Sequence, residues 1–320
     1  MASKILYVLL LAGVCGVAAA QGYPDRMVRI VPFGTSGGPI DTIARLYADK
    51  LRERWKQTVL VEAKPGASGT LAADFVARAP ADGHTLLFTL SLTHINNVVL
   101  QKNIPYDPVK DFEPLSQLAT GGPALVAPAA APFDDLSGFV QYAKGKSGGV
   151  SYGTWGTGSS AHLFGELLGR QTGARLLHVP YKGEAPAHLD MFGGALDVAW
   201  ANPGTARNHV RAGKIKVIGL TGSRRLQVLP GVALFTEQGY KGFDLDSWVG
   251  TYAPAKTPKR TVDEIAAALR EVTRLPEITA RWIDMGFEPL GNTPEEFARN
   301  HRNDFPKWVE IIKAAGVNPE

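Results

Sequence analysis

The stretch Val28-Arg29-Ile30-Val31-Pro32-Phe33, then Gly34-Thr35-Ser36-Gly37-Gly38, then a segment opening at Pro39, decides how this 320-residue chain is read. The first six residues form a short apolar strand and the next five a glycine-rich turn. From Pro39 to Trp55 the spacing predicts a helix: Ile43, Leu46, Tyr47, Leu51 and Trp55 recur every three or four residues and so share one apolar face. Pro39 suits the first helical turn, where its missing N–H costs no hydrogen bond. A strand passing through a tight turn into a helix is the opening of a βαβ unit.

Outward from this unit the alternation continues. Strands are expected at 58–62, 85–90, 124–127, 150–152, 176–179, 197–200, 216–220 and 248–253. Helices are expected at 70–79, 136–144, 160–171, 185–192, 205–212, 261–275, 276–285 and 294–315. Gly173 and Gly213 stand where left-handed helix stops are wanted. Strands alternating with helices imply an α/β fold with mostly parallel sheets flanked by helices.

The first 20 residues are of another kind. Lys4 precedes an apolar run from Ile5 to Ala20 that ends in Ala18-Ala19-Ala20, the pattern of a secretory signal peptide cut near Ala20. The run is short for a membrane span, which needs roughly 20 apolar residues. An uncleaved anchor is the alternative. Cys15, the single cysteine, lies inside the leader, and Val14 stands before it where a lipid-attachment site wants a small residue. The remaining chain carries 33 basic and 30 acidic residues, a net charge of +3. A cysteine-free chain in an oxidising compartment relies on its core, and about 300 residues suffice for two domains. Basic residues are scattered among acids, which argues against nucleic acid as a partner. The balance mildly favours anionic ligands.

Three glycine-rich turns follow strands, where open α/β sheets bind their ligands. In the first, Thr35, Ser36, Gly37 and Gly38 present hydroxyls and amides at a helix start, which favours an anion; a plain tight turn is the other reading. In the second, Trp155, Gly156, Thr157, Gly158, Ser159 and Ser160 lead into the helix that carries His162. Ser159 or Ser160 is a natural N-cap there, and the same hydroxyls form a second anion cradle. The third joins Val179-Pro180-Tyr181-Lys182-Gly183 to Trp200-Ala201-Asn202-Pro203, with Tyr181 and Trp200 as either cleft walls or core aromatics. The seven histidines lack zinc-ligand spacing, and no phosphate-binding or dinucleotide-binding motif occurs, so no metal or cofactor is expected. One enzyme motif matches: Gly34-Thr35-Ser36-Gly37-Gly38 fits G-x-S-x-G, the nucleophile elbow of serine hydrolases. It follows the first strand, which leaves no earlier strands for a hydrolase sheet, so a secreted hydrolase using Ser36 is the alternative reading.

An ordered series of segments resembles the Bug-type receptors, the extracytoplasmic binding components of tripartite tricarboxylate transporters. These are Tyr23-Pro24, Val31-Pro32-Phe33 with Gly37-Gly38 and Asp41, Glu62-Ala63-Lys64-Pro65-Gly66-Ala67 and Ala81-Asp82-Gly83-His84-Thr85-Leu86-Leu87. Pro105-Tyr106-Asp107-Pro108-Val109-Lys110-Asp111-Phe112, His178-Val179-Pro180-Tyr181-Lys182-Gly183, Ala253-Pro254-Ala255-Lys256-Thr257-Pro258 and Thr293-Pro294-Glu295-Glu296-Phe297 complete the series. The resemblance implies a two-lobed Venus-flytrap fold without catalysis, with residues 21–122 and 249–320 in the first lobe and 123–248 in the second. It also implies a periplasmic monomer that passes a small carboxylate to a membrane permease, or signals through a sensor instead. The ligand carboxylate is expected between loop 33–41, including Phe33 and Asp41, and loop 91–94, with Ser91, Thr93 and His94. The second lobe is expected to add 156–160, 181–185 (Tyr181, Lys182, Gly183 and Ala185) and 200–203 (Trp200 and Asn202). Trp155 and Trp200 stand where the family pattern has a small residue and a Phe, and Ala201 where an acid is frequent. Aromatic walls without an acid favour an aromatic or apolar-bodied acid over an amino acid.

Overall fold

The computed structural model describes residues 22–317; the expected leader lies outside them. Two mixed sheets carry the fold. The first contains β1 (Val28–Pro32), β2 (Val59–Val61), β3 (Thr85–Leu90), β4 (Phe112–Gly121), β10 (Ser247–Pro254) and β11 (Glu288–Pro289), in the order β11-β4-β10-β3-β1-β2. The second contains β5 (Ala124–Pro128), β6 (Val150–Thr154), β7 (Leu176–Pro180), β8 (Val198–Ala201) and β9 (Ile215–Leu220), in the order β7-β6-β8-β5-β9. β2, β1 and β3 pair in parallel, as do β7, β6 and β8. β10 runs against β3 and β4, and β5 against β8 and β9. Most strands of each sheet therefore run one way, and the antiparallel β5 and β10 are the first strands after the chain crosses between sheets.

The helices form where the apolar period is 3.6. They are α1 (Pro39–Trp55), α2 (Thr70–Ala77), α3 (Asn97–Leu100), α4 (Leu136–Gly145), α5 (Ser160–Thr172), α6 (Glu184–Phe192), α7 (Pro203–Arg211), α8 (Lys259–Thr273), α9 (Pro276–Asp284) and α10 (Pro294–Ala315). α1 buries Ile43, Tyr47 and Leu51 against the first sheet and stops at Lys56 in the left-handed region. Asp135, Ser159 and Asn202 cap α4, α5 and α7 with their side chains. Thr293 and Glu296 form a reciprocal capping box on α10.

α10 joins the two halves. Phe297 near its start packs on Trp248 of β10, whereas Trp308 lies against Phe164 of α5 and Arg170 donates to the Ala315 carbonyl at 2.9 Å. The boundary drawn from the sequence gives all of this helix to the first lobe, but its second half rests on the second. At the crossing, Gly122 packs so closely that a Cβ there would lie 2.2 Å from the Thr221 carbonyl oxygen.

Candidate functional site

A cleft of about 660 Å³ lies between the two sheets. Phe33, Gly37, Pro39, Ile40 and Leu90 line it from the first half, Trp155, Ser160, Gly183, Glu184 and Asn202–Thr205 from the second. Gly121–Pro123 and Ser247, where the chain crosses between the sheets, and Arg281 with Asp284–Phe287 also line it. The starts of α1, α5, α6 and α7 all reach it, so positive ends of helix dipoles converge on a cavity with apolar walls.

Six of the residues expected at the site line this cleft: Phe33, Gly37, Trp155, Ser160, Gly183 and Asn202. Thr35, Ser36 and Gly38 complete the first loop beside them. Ser36 is exposed, and the Gly38 amide closes the turn on the Thr35 carbonyl at 3.0 Å. Gly37 has a φ of 77°, which accounts for glycine there.

Asp41 is fully buried and builds the loop from within. It accepts the Gly37 amide at 2.9 Å and both Arg45 nitrogens, at 2.8 and 3.1 Å. Burial pushes its carboxyl up, but the Arg45 and Gly37 hydrogen bonds outweigh that and hold it below the ordinary value. Asp41→Asn should therefore lower stability at neutral pH by about 1–3 kcal/mol. Because the folded pKa is depressed, this advantage of Asp41 is full above about pH 4, the ordinary Asp value, and vanishes as pH falls through the folded one. Urea midpoints of both proteins at neutral and strongly acid pH check this; equal midpoints at neutral pH would refute it.

The second loop is also held internally. Gly156 accepts from the Ser159 amide at 3.3 Å and hydroxyl at 2.6 Å, and the Gly158 amide donates to His162 Nδ1 at 3.1 Å. Ser159 is thus the cap and Ser160 the residue that meets the cavity, while Gly156, Thr157 and Gly158 shape the turn. His162 stacks on His178 at 3.9 Å beneath it, and burial, then His162, pushes His178 down to about 3. Tyr181 donates to Asp190 at 2.6 Å, and Lys182 and Ala185 are exposed.

Two expected groups lie outside the cleft lining. Ser91, Thr93 and His94 are buried in a helical turn that follows Leu90, which does line the cleft. Thr93 Oγ is engaged by Leu90, Thr89 and His94, and the His94 ring lies flat on Tyr252 at 4.0 Å. Burial holds His94 well below its ordinary pKa. Trp200 is 1% exposed and packs on Phe235 and Phe164, because its place in β8 directs it away from the cleft. The aromatic lining is Phe33, Trp155 and Phe287.

Glu184 was missed. An acid at the start of a helix reads as an ordinary partner of the helix dipole, yet this one lines the cleft. Its Oε1 accepts the Asn202 amide at 2.7 Å, and Oε2 the Thr205 hydroxyl at 3.4 Å. Burial raises it to about 7 against those two hydrogen bonds. The expectation of a cleft without an acid therefore fails, although Ala201 is buried as its position in β8 requires.

Two α/β halves facing each other across a cleft lined from both sides define a periplasmic-type solute-binding protein. The family of tripartite tricarboxylate transporter receptors matches residues 43–317, and the chain belongs to it. A UPF0065 protein of Pseudomonas sp. (strain P51) is 31% identical over 93% of this chain and 89% of its own. The solved structure of the periplasmic binding protein BugD shares 33% identity with a TM-score of 0.80, covering 93% of this chain and 100% of that one. An R. palustris protein solved with adipate is 30% identical with a TM-score of 0.83 over the same shares. The chain is a periplasmic solute-binding receptor of this Bug-type family. Among the described residues no helix is long and apolar enough to cross a membrane.

Proposed function

We propose that the protein captures a small, apolar-bodied carboxylate in this cleft, closes 123–248 against the rest of the chain, and delivers the ligand to a tripartite tricarboxylate-type permease. The observation that carries this is the convergence of four helix starts on a cavity walled by Phe33, Ile40, Leu90 and Trp155. Helix starts favour an anion without a fixed cation, and apolar walls accept the body behind it. The adipate-bound relative supports the ligand class. Secretion through a leader cut near Ala20 and action as a monomer complete the proposal.

Titrating the purified protein with aliphatic and aromatic acids, followed by tryptophan fluorescence and melting temperature, tests the reading. Stabilisation by carboxylates with apolar bodies is expected, since a ligand that binds only the folded state raises the melting temperature. No response to any acid would overturn it. Ser36→Ala separates it from ester hydrolysis: ligand affinity within about twofold of wild type and no esterase activity in either protein are expected. Esterase activity that disappears with Ser36 would establish the hydrolase instead.

A further inference from the structure

We infer that Glu184 sets the ligand class: it occupies the anion-binding donors at the start of α7, so the bound acid has one carboxylate and carries a hydroxyl or amine at its far end. This rests on the carboxylate reading above. The donors at the start of α7 would suit a second ligand carboxylate, but Glu184 already takes the Asn202 amide at 2.7 Å and reaches the Thr205 hydroxyl at 3.4 Å. A diacid that spans the cleft meets a carboxylate where it needs donors. A ligand hydroxyl or ammonium meets an acceptor held in place.

Among the described residues no lysine or arginine pairs with this acceptor. On its own helix, His188 Nε2 lies 3.7 Å from Glu184 and 3.2 Å from the Trp200 carbonyl oxygen, and burial keeps that imidazole below its ordinary pKa. His209 packs on His188 at 5.4 Å. On α7, Arg207 is paired with Asp284 across the cleft at 2.9 Å. Arg281 lines the cleft from the first half.

The test is calorimetric titration with adipate, 6-hydroxyhexanoate and 6-aminohexanoate, repeated with the five-carbon set, on wild type and Glu184→Gln. At about pH 8 the wild type should bind the hydroxy or amino acid at least about tenfold more tightly than the diacid of equal length. Glu184→Gln keeps an acceptor for Asn202 but loses the charge, and should reduce that preference to about threefold or less. As pH falls through about 7 the wild type should lose preference in the same direction, because a protonated Glu184 can donate to a second carboxylate. A structural readout accompanies this. A carboxyl whose folded pKa is raised loses stability as pH rises from its ordinary value toward the folded one, so the ligand-free melting temperature should fall across that window in wild type and less in Glu184→Gln. Diacids bound equally or better by wild type at about pH 8, or a preference that survives Glu184→Gln, overturn the inference alone. Failure of every acid to bind overturns the carboxylate reading with it.

Discussion

Gly204→Ala is expected to weaken ligand binding by about thirtyfold or more while leaving the ligand-free fold intact. Gly204 is the second residue of α7, and a Cβ there would lie 2.2 Å from the Asp284 carbonyl oxygen and 2.8 Å from the Met285 carbonyl carbon. Both neighbours are backbone on the opposite half, so no rotamer change relieves the overlap. The halves must separate. Nothing in α7 itself resists the change, since Ala is the better helix former by about 1 kcal/mol. Gly286 faces the same junction, but its φ of 82° would add local strain and confuse the result. The observed arrangement of the halves is also fastened by Arg207–Asp284 at 2.9 Å, Gln227 to Glu288 at 2.9 Å and Asn96 to the Gly158 carbonyl at 2.9 Å. These polar contacts can re-form with water on opening, whereas a backbone overlap has no such exchange. A variant unable to close binds through one half only, and its apparent affinity falls with the closed fraction. Calorimetry and small-angle scattering check this: the variant should stay expanded at ligand concentrations that compact the wild type. Wild-type affinity and compaction would refute it.

How much of this was legible in the sequence depends on which interaction fixes each element. α1 and α10 were read with their observed bounds because their apolar periods are clean and Pro39 or Thr293-Pro294 marks the starts, and β3 because it is one largely apolar run. β4, the longest strand among the described residues, left no such trace. Its pairing with β10 shifts register at Val249/Gly250 and Thr251/Tyr252, which breaks the two-residue alternation. Its buried polar residues are satisfied from far along the chain, Ser116 and Gln117 by Asn292. The burial of 91–94 was hidden for a related reason. Ser, Thr and His in sequence suggest exposure, and only Leu90, Tyr106 and Tyr252, brought together by the fold, show why they are buried. At the site, the glycine turns marked the right strand ends. What they lacked was direction: the side on which Trp200 points, and the fact that Glu184 turns inward to Asn202, follow from β8 and α6 packing side by side.

The two tryptophans once expected as paired walls should part company under mutation. Trp200→Ala deletes a side chain packed among Phe164, Phe235 and the rest of the second-half core, and should cost about 3–5 kcal/mol of stability. Trp155→Ala removes a half-buried ring that lines the cleft; it should cost far less stability and weaken binding of an apolar-bodied acid by about tenfold. Total stabilities of folded domains are about 5–15 kcal/mol, so Trp200→Ala sits near the limit of remaining folded. Trp200→Phe guards against that failure. Trp200 Nε1 is buried without a hydrogen-bond partner among the described residues, so the phenyl ring removes an unsatisfied donor while losing volume, and the two effects oppose. Its cost should therefore be well under that of Trp200→Ala, with ligand affinity within about twofold of wild type. The fluorescence response should divide in the same way: abolished or strongly reduced in Trp155→Phe, retained in Trp200→Phe. Urea unfolding and ligand titration on the four variants decide the matter. If Trp200→Phe lost the ligand signal while Trp155→Phe kept it, the ring that meets the ligand would be Trp200, and the assignment of the cleft wall to Phe33, Trp155 and Phe287 would fall.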